Sequence, residues 1–191
     1  MGKRFGEWGI SPVNTAVIAV NVVVFIWMLV TGNPQSTAYM YEHGANYWPD
    51  VFEEHEYYRL ITCAFIHFGF SHICNNMLVL AFVGDNLERA IGSVKYTVIY
   101  FGSAVGASLI SDFVAMQLNS YSISGGASGA VFGVVGALFV IVLLNHGHLE
   151  DLSTRQLAIF AALSVYHGVT NAGIDNAAHV GGFLVGAVLA V

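Results

Sequence analysis

The sequence predicts an all-α, polytopic membrane protein: a bundle of six transmembrane helices with a long structured first loop. Three observations predict it. Hydrophobic residues make up 56% of the 191 and charged residues 9%, with a mean hydropathy of +0.67. Soluble domains carry roughly one-quarter charged residues, so water is not the main solvent of this chain. Apolar stretches of near-spanning length recur along the sequence, and at about 20 residues per span there is room for about six helices and no separate soluble domain. Glycine-rich and polar segments punctuate these stretches, so the expected organisation is one membrane domain over residues 1–191.

The elements follow in order. Met1-Gly2-Lys3-Arg4 is basic, but the apolar run Val13 to Val30 is longer than a signal-peptide core and lacks a small-residue cleavage site, so it reads as a retained first span. Gly6 stands where N-myristoylation needs Ser or Thr. Periodicity and breakers place helices at Val13 to Thr31, His72 to Leu87, Val94 to Met116, Ser128 to Leu144, Leu157 to Thr170 and Asn176 to Val191. The connection Gly32 to Ser71 is rich in Tyr, Trp, Phe and Glu and too long for an idle linker, which suits a structured element at the membrane surface. Lys3, Arg4, Arg89, Lys95 and Arg155 alternate to one side of this topology, which makes that side and both termini cytoplasmic. Arg59 alone shares the first loop with Glu42, Asp50, Glu53, Glu54 and Glu56. His72, Ser128 and His179 then lie near the outer ends of their helices. Cys63 and Cys74 read as free thiols, with no zinc pattern, and no cofactor or metal site is expected. Without a basic patch, the net charge of −6 gives no support to nucleic-acid binding.

Ser128 sits in Gly126-Ala127-Ser128-Gly129, where a Gly-rich loop turns into an apolar stretch. An unpartnered hydroxyl in hydrocarbon costs several kcal/mol, so this serine either packs closely against a neighbouring backbone or belongs to a polar site. The tetrapeptide alone does not decide, and with Ala130 at the second glycine position it is not the Gly-x-Ser-x-Gly hydrolase elbow. His179 opens a later helix in Ala178-His179-Val180-Gly181-Gly182-Phe183-Leu184-Val185-Gly186. Gly182 and Gly186 share one face, as do Gly129 and Gly133, so the two helices can approach until hydroxyl and imidazole come within reach, the geometry of a nucleophile and its base. His72 and Asn76, spaced i and i+4, project from one face of the second helix. Both donate hydrogen bonds, and donors aimed at the oxyanion of acyl transfer are worth about 2.7 to 4 kcal/mol each. The bland alternative for this pair is helix-to-helix glue.

In that order, His72-x-x-x-Asn76, Gly126-x-Ser128-Gly129 and Ala178-His179-x-x-Gly182-x-x-x-Gly186 resemble the motifs of the rhomboid intramembrane serine proteases, and the likeness covers essentially the whole chain. The six-helix count with a long first loop agrees with the family's bacterial core form. The resemblance implies a rhomboid-like bundle in the bacterial plasma membrane whose active site opens to the outer side. It implies Ser128 as nucleophile, His179 as general base, and His72, Asn76 and the Ser128 N–H as the oxyanion hole, with Gly126, Gly129 and Phe132 in support. Phe132 stands where many relatives carry a tyrosine against which the base packs. Tyr58-Arg59 resembles the family's Trp-Arg pair, Glu88-Arg89 the acidic-basic end of the second helix that fastens loops, and His67 a structural loop histidine. The implied partners are the lipid bilayer and single-span transmembrane substrates, which must unwind locally because a helix hides its peptide bonds. Entry is expected beside the fifth helix and under the loop Thr170 to Asp175, while Gln117 to Gly126 shapes the subsite ahead of Ser128. The implied dyad needs no carboxylate, and Asp175 reads as the N-cap of the last helix rather than as a third member.

Two rival readings are a small transporter and a catalytically inactive rhomboid-like protein that binds transmembrane clients. The first lacks an inverted repeat in hydropathy, and the second is opposed by the intact Ser128 and His179. Metalloprotease and aspartyl readings fail for want of His-Glu-x-x-His or paired intramembrane aspartates.

Overall fold

The computed structural model describes residues 11–146, 148–149, 152–170 and 173–191. Lys3 and Arg4, which entered the topology argument, lie outside the described residues. Helix α1 (Pro12–Thr31) begins with proline in the position where a missing N–H costs least. Its free amides are capped from another element: the Glu88 carboxylate accepts from Val13 N (3.1 Å) and Asn14 N (2.7 Å), and also from the Ser93 hydroxyl (2.6 Å). Beside it the Ser11 hydroxyl bonds Asp85, which pairs with Arg89. One end of the bundle is thereby fastened by the Glu88-Arg89 segment.

The first loop is structured. It carries α2 (Thr37–Glu42), α3 (Trp48–Phe52), α4 (Arg59–Thr62) and a 3-10 turn at Cys63–Phe65. Arg59, 5% exposed, is its centre. The guanidinium donates to the carbonyls of Tyr41 and Ala45 (both 2.9 Å), pairs with Asp50 (3.1 Å) and Glu56 (2.5 Å), and lies over the Tyr41 ring. Two buried charge-assisted bonds at about 1.5–3 kcal/mol each set the scale. Arg59→Ala is therefore expected to lower stability by about 3 kcal/mol or more, and Arg59→Lys to recover little, because an ammonium lacks the planar fork. Thermal unfolding in detergent checks this, and an unchanged midpoint in Arg59→Ala would overturn it. The clasp is also pH-sensitive. The Arg59 hydrogen bond, helped by the Tyr58 hydroxyl, holds the Glu56 carboxyl below its ordinary range. A depressed carboxyl contributes stability that is present above its unfolded pKa and lost as pH falls through the lower folded value. This contribution is expected to be complete above about pH 5 and to fade below about pH 4.

Gly69, at φ +91°, turns the chain by 94° from Arg59–Phe65 into a rod running from Phe70 to Ile91. The rod comprises α5 (Phe70–Val79), a π turn (Leu80–Gly84) and α6 (Asp85–Ile91). The π turn meets α1: the Leu80 carbonyl accepts from Asn14 Nδ2 (2.9 Å), Asn14 Oδ1 accepts from the Tyr96 hydroxyl (2.7 Å), and a side chain at Gly84 would collide with Asn14. Then follow α7 (Ser93–Gln117), α8 (Ser128–Leu144), a two-residue hairpin pairing β1 (His148–Leu149) with β2 (Leu152–Ser153), α9 (Thr154–Thr170) and α10 (Asn176–Leu189). The hairpin and an isolated bridge between Asn46 and Ser124 are small backbone pairings within a structure that is otherwise helical, so the all-α class stands. The hairpin is local, the bridge joins two distant segments of the chain, and neither has an alternating strand pattern behind it.

Helices occupy all six stretches expected from the sequence. Among the described residues, Pro12–Thr31 and Ser93–Gln117 are long and apolar enough to cross a membrane, and the bent pair Arg59–Phe65 with Phe70–Ile91 makes a third if it counts as one span. Ser128–Leu144 and Asn176–Leu189 are apolar but shorter. With these helices the chain is a multi-pass membrane protein. Helix α8 is buried on all faces through its first ten residues after Ser128, so it forms the centre against which α7 and α10 pack.

Candidate active site

The α8–α10 contact is backbone against backbone. A Cβ on Gly182 would fall on the Gly129 carbonyl, one on Gly186 on the Gly133 carbonyl, and one on Gly136 on the Phe183 carbonyl. The face of Gly182 and Gly186 therefore rests directly on the backbone of Gly129 and Gly133, at the separation that only small residues permit. The missing side chains of Gly129 and Gly133 make room for α7, whose Ala107 and Ser103 come up against them.

Ser128 is the first residue of α8 and half-buried. Gly126 has φ +132°, donates its N–H to the Cys63 carbonyl (2.8 Å), and leaves room for the His72 ring, whose Cε1 would lie 2.5 Å from a Cβ there. The next amide, Ala127 N–H, donates to His67 Nε2 (3.2 Å), and His67 meets His72 edge to face at 5.1 Å. Thus His67 and His72 both touch the turn that precedes Ser128. Asn76 lies one turn along α5 from His72, buried, with Nδ2 making no hydrogen bond among the described residues. A buried amide without a partner costs about 1–3 kcal/mol, which a group accepting its proton would offset.

His179 sits in the first turn of α10. Its ring is stacked on Phe132, one turn after Ser128, at 4.3 Å between centroids and 12° between planes. Its Nδ1 is buried with no partner among the described residues. Asp175 is the N-cap: Oδ1 accepts from Ala178 N (2.9 Å), while Oδ2 accepts from Ser111 (2.5 Å) and Ser124 (2.8 Å). Both carboxylate oxygens thus have donors other than the imidazole. No hydrogen bond joins the Ser128 hydroxyl to His179 among the described residues; bonds of this kind often tighten only with substrate in place.

Two cavities border these groups. A small one of about 20 Å³, room for one water molecule, is lined by Ser128, Cys63, Ser108, Ser124 and Ala178. A larger apolar one of about 490 Å³ lies among Phe132, Ala161, Ala162, His179, Val180 and Leu184, between α8, α9 and α10. Among the described residues no group of three or more His, Cys, Asp or Glu is arranged to hold a metal ion.

Asp112 was not singled out in the sequence. It is 3% exposed, accepts from Asn46 Nδ2 (2.6 Å), and has Oδ2 without a partner among the described residues. The signal was available, since it is the one acidic residue in the apolar helix Ser93–Gln117, and ionisable residues within a span usually mark function.

Comparison with known proteins identifies the family. The Rhomboid domain model matches residues 54–191. RHOMBOID-like protein 2 of Arabidopsis thaliana is 35% identical over 153 residues, 79% of this chain and 47% of that protein. The rhomboid protease GluP of Bacillus subtilis (strain 168) is 30% identical over 169 residues, 88% of this chain and 32% of that one. The protein YdcA of the same organism is 26% identical over 185 residues, 91% of this chain and 86% of its own length. The chain thus spans less than half the length of the first two of these relatives. Matched by the domain model over most of its length, the chain belongs to the rhomboid family.

Proposed function

We propose that this protein is an intramembrane serine endopeptidase that cleaves single-span transmembrane substrates with a Ser128–His179 dyad. The observation that carries the reading is the stack of His179 on Phe132, one turn from Ser128, across a helix contact made of glycines. His179 takes the Ser128 proton as Oγ forms a bond to the scissile carbonyl carbon. The imidazolium returns that proton to the leaving nitrogen as the C–N bond breaks, and water then hydrolyses the ester with His179 again as base. His72, Asn76 and the Ser128 N–H supply the oxyanion hole, a role that the unpartnered Asn76 Nδ2 supports. A dyad without a carboxylate suits a low-dielectric site, and the bonds of both Asp175 oxygens to other donors support it.

The reading includes one domain over residues 1–191 with six spans in a bacterial plasma membrane, both termini cytoplasmic and the site opening outward. Arg89 and Lys95 flank the Glu88 end of the bundle, whereas His72, Ser128 and His179 gather at the other, which supports that orientation. The apolar cavity beside His179 borders α9, and its size suits an unwound apolar segment entering next to that helix. The loop beneath which entry is expected includes Asn171 and Ala172, outside the described residues.

The test is covalent labelling of the reconstituted protein by a fluorophosphonate, together with cleavage of a single-span reporter. Both are expected in the wild type and absent in Ser128→Ala. Cleavage undiminished in Ser128→Ala would sink the proposal.

A further inference from the structure

We infer that Asp175 is a positioning residue that ties the loop ending in Ser128 to the helix carrying His179, and that Asp112 completes the tie from α7. The inference rests on the dyad reading above. The contacts form a closed circuit of four segments. Asp175 Oδ2 accepts from Ser124, four residues before Ser128, and from Ser111 on α7. Ser124 forms a two-way backbone bridge with Asn46 of the first loop, Asn46 N to Ser124 O at 2.7 Å and Ser124 N to Asn46 O at 2.9 Å. Asn46 Nδ2 donates to Asp112, the neighbour of Ser111 in sequence, which closes the circuit. The other Asp175 oxygen caps α10, whose first turn also brings His179 N to the Asp175 carbonyl (3.1 Å).

A helix cap needs one oxygen. The second oxygen of Asp175 collects two hydroxyls from segments with no part in the α10 start, one of which leads straight to Ser128. Residues 118–127 form a connection without regular helix, and the Ser124–Asp175 bond joins it directly to the start of α10. A misplacement of about 1 Å between reacting groups is worth about a hundredfold in rate, so a hydrogen bond that fixes this register acts on turnover rather than on substrate binding.

The experiment uses the full chain in lipid and separates capping from tying. Asp175→Ser keeps a good cap but is too short to reach both hydroxyls, and the double variant Ser111→Ala/Ser124→Ala keeps Asp175 itself. Both are expected to lower kcat and the fluorophosphonate labelling rate by about tenfold or more, with KM within about twofold. Amide exchange across residues 119–127 should rise in both. Asp175→Asn, which still caps and can donate to both hydroxyls, should restore the rate to within about threefold. Labelling at the wild-type rate in both Asp175→Ser and the double variant would overturn the inference while leaving the dyad standing. A wild-type protein that no fluorophosphonate labels would overturn both.

Discussion

Replacing His179 with alanine is expected to reduce cleavage and fluorophosphonate labelling by at least about 10⁴-fold, with insertion and helix content retained. The size follows from the chemistry. A serine hydroxyl is a poor nucleophile at neutral pH and gains its reactivity from a base placed to accept its proton. Two neighbouring groups are already engaged: the Asp175 carboxylate is held by three donors, and His67 accepts from the Ala127 amide. The comparison variant is Phe132→Leu, which removes the stacked ring and leaves the base. An aromatic stack contributes about 0.5–1.5 kcal/mol, so the full loss of positioning would slow the reaction by up to about tenfold. A four-decade effect beside a one-decade effect distinguishes a base from a packing residue. Labelling of His179→Ala at the wild-type rate would remove His179 from the role and direct attention to His72, whose ring lies over Gly126.

Much of this arrangement was legible in the sequence because local chemistry decides it. Ser128 begins α8 and Asp175 caps α10, where the change from polar loop to apolar run put them. The meeting of Gly129 and Gly133 with Gly182 and Gly186 followed from a four-residue spacing that repeats on both helices. What could not be read depends on partners far away in the chain. The π turn at Leu80–Gly84 answers to Asn14, 66 residues from Leu80. The clasp around Arg59 draws on Tyr41 and Ala45 carbonyls, which carry no side-chain signal. Likewise Asn46 and Ser124 pair through their backbones, so neither residue type announces the bridge that joins the first loop to the segment before Ser128.

The helix contact itself yields the second large effect. Gly186→Val is expected to destabilise the protein by more than the 1–3 kcal/mol or so of ordinary overpacking, because the added atoms meet a backbone carbonyl that has no rotamer to retreat into. Relief requires α10 to move away from α8. Since Gly182 follows His179 by less than one turn, even Gly182→Ala, which sets a single methyl against the Gly129 carbonyl, should separate the ends of the helices. By the cost of an ångström-scale misplacement, labelling is then expected to fall by about a hundredfold, in protein that still inserts. Gly102→Ala is the control. There, among the described residues, the new Cβ meets Leu189 Cδ1 alone at 2.8 Å, the end of a flexible side chain that can turn aside, so the expected cost is under about 1 kcal/mol with the labelling rate unchanged. Thermal midpoints and labelling rates of the three variants decide the matter. Equal behaviour of Gly182→Ala and Gly102→Ala would mean that α8 and α10 are not held apart by the thickness of their backbones alone, and that the reach of His179 is set elsewhere.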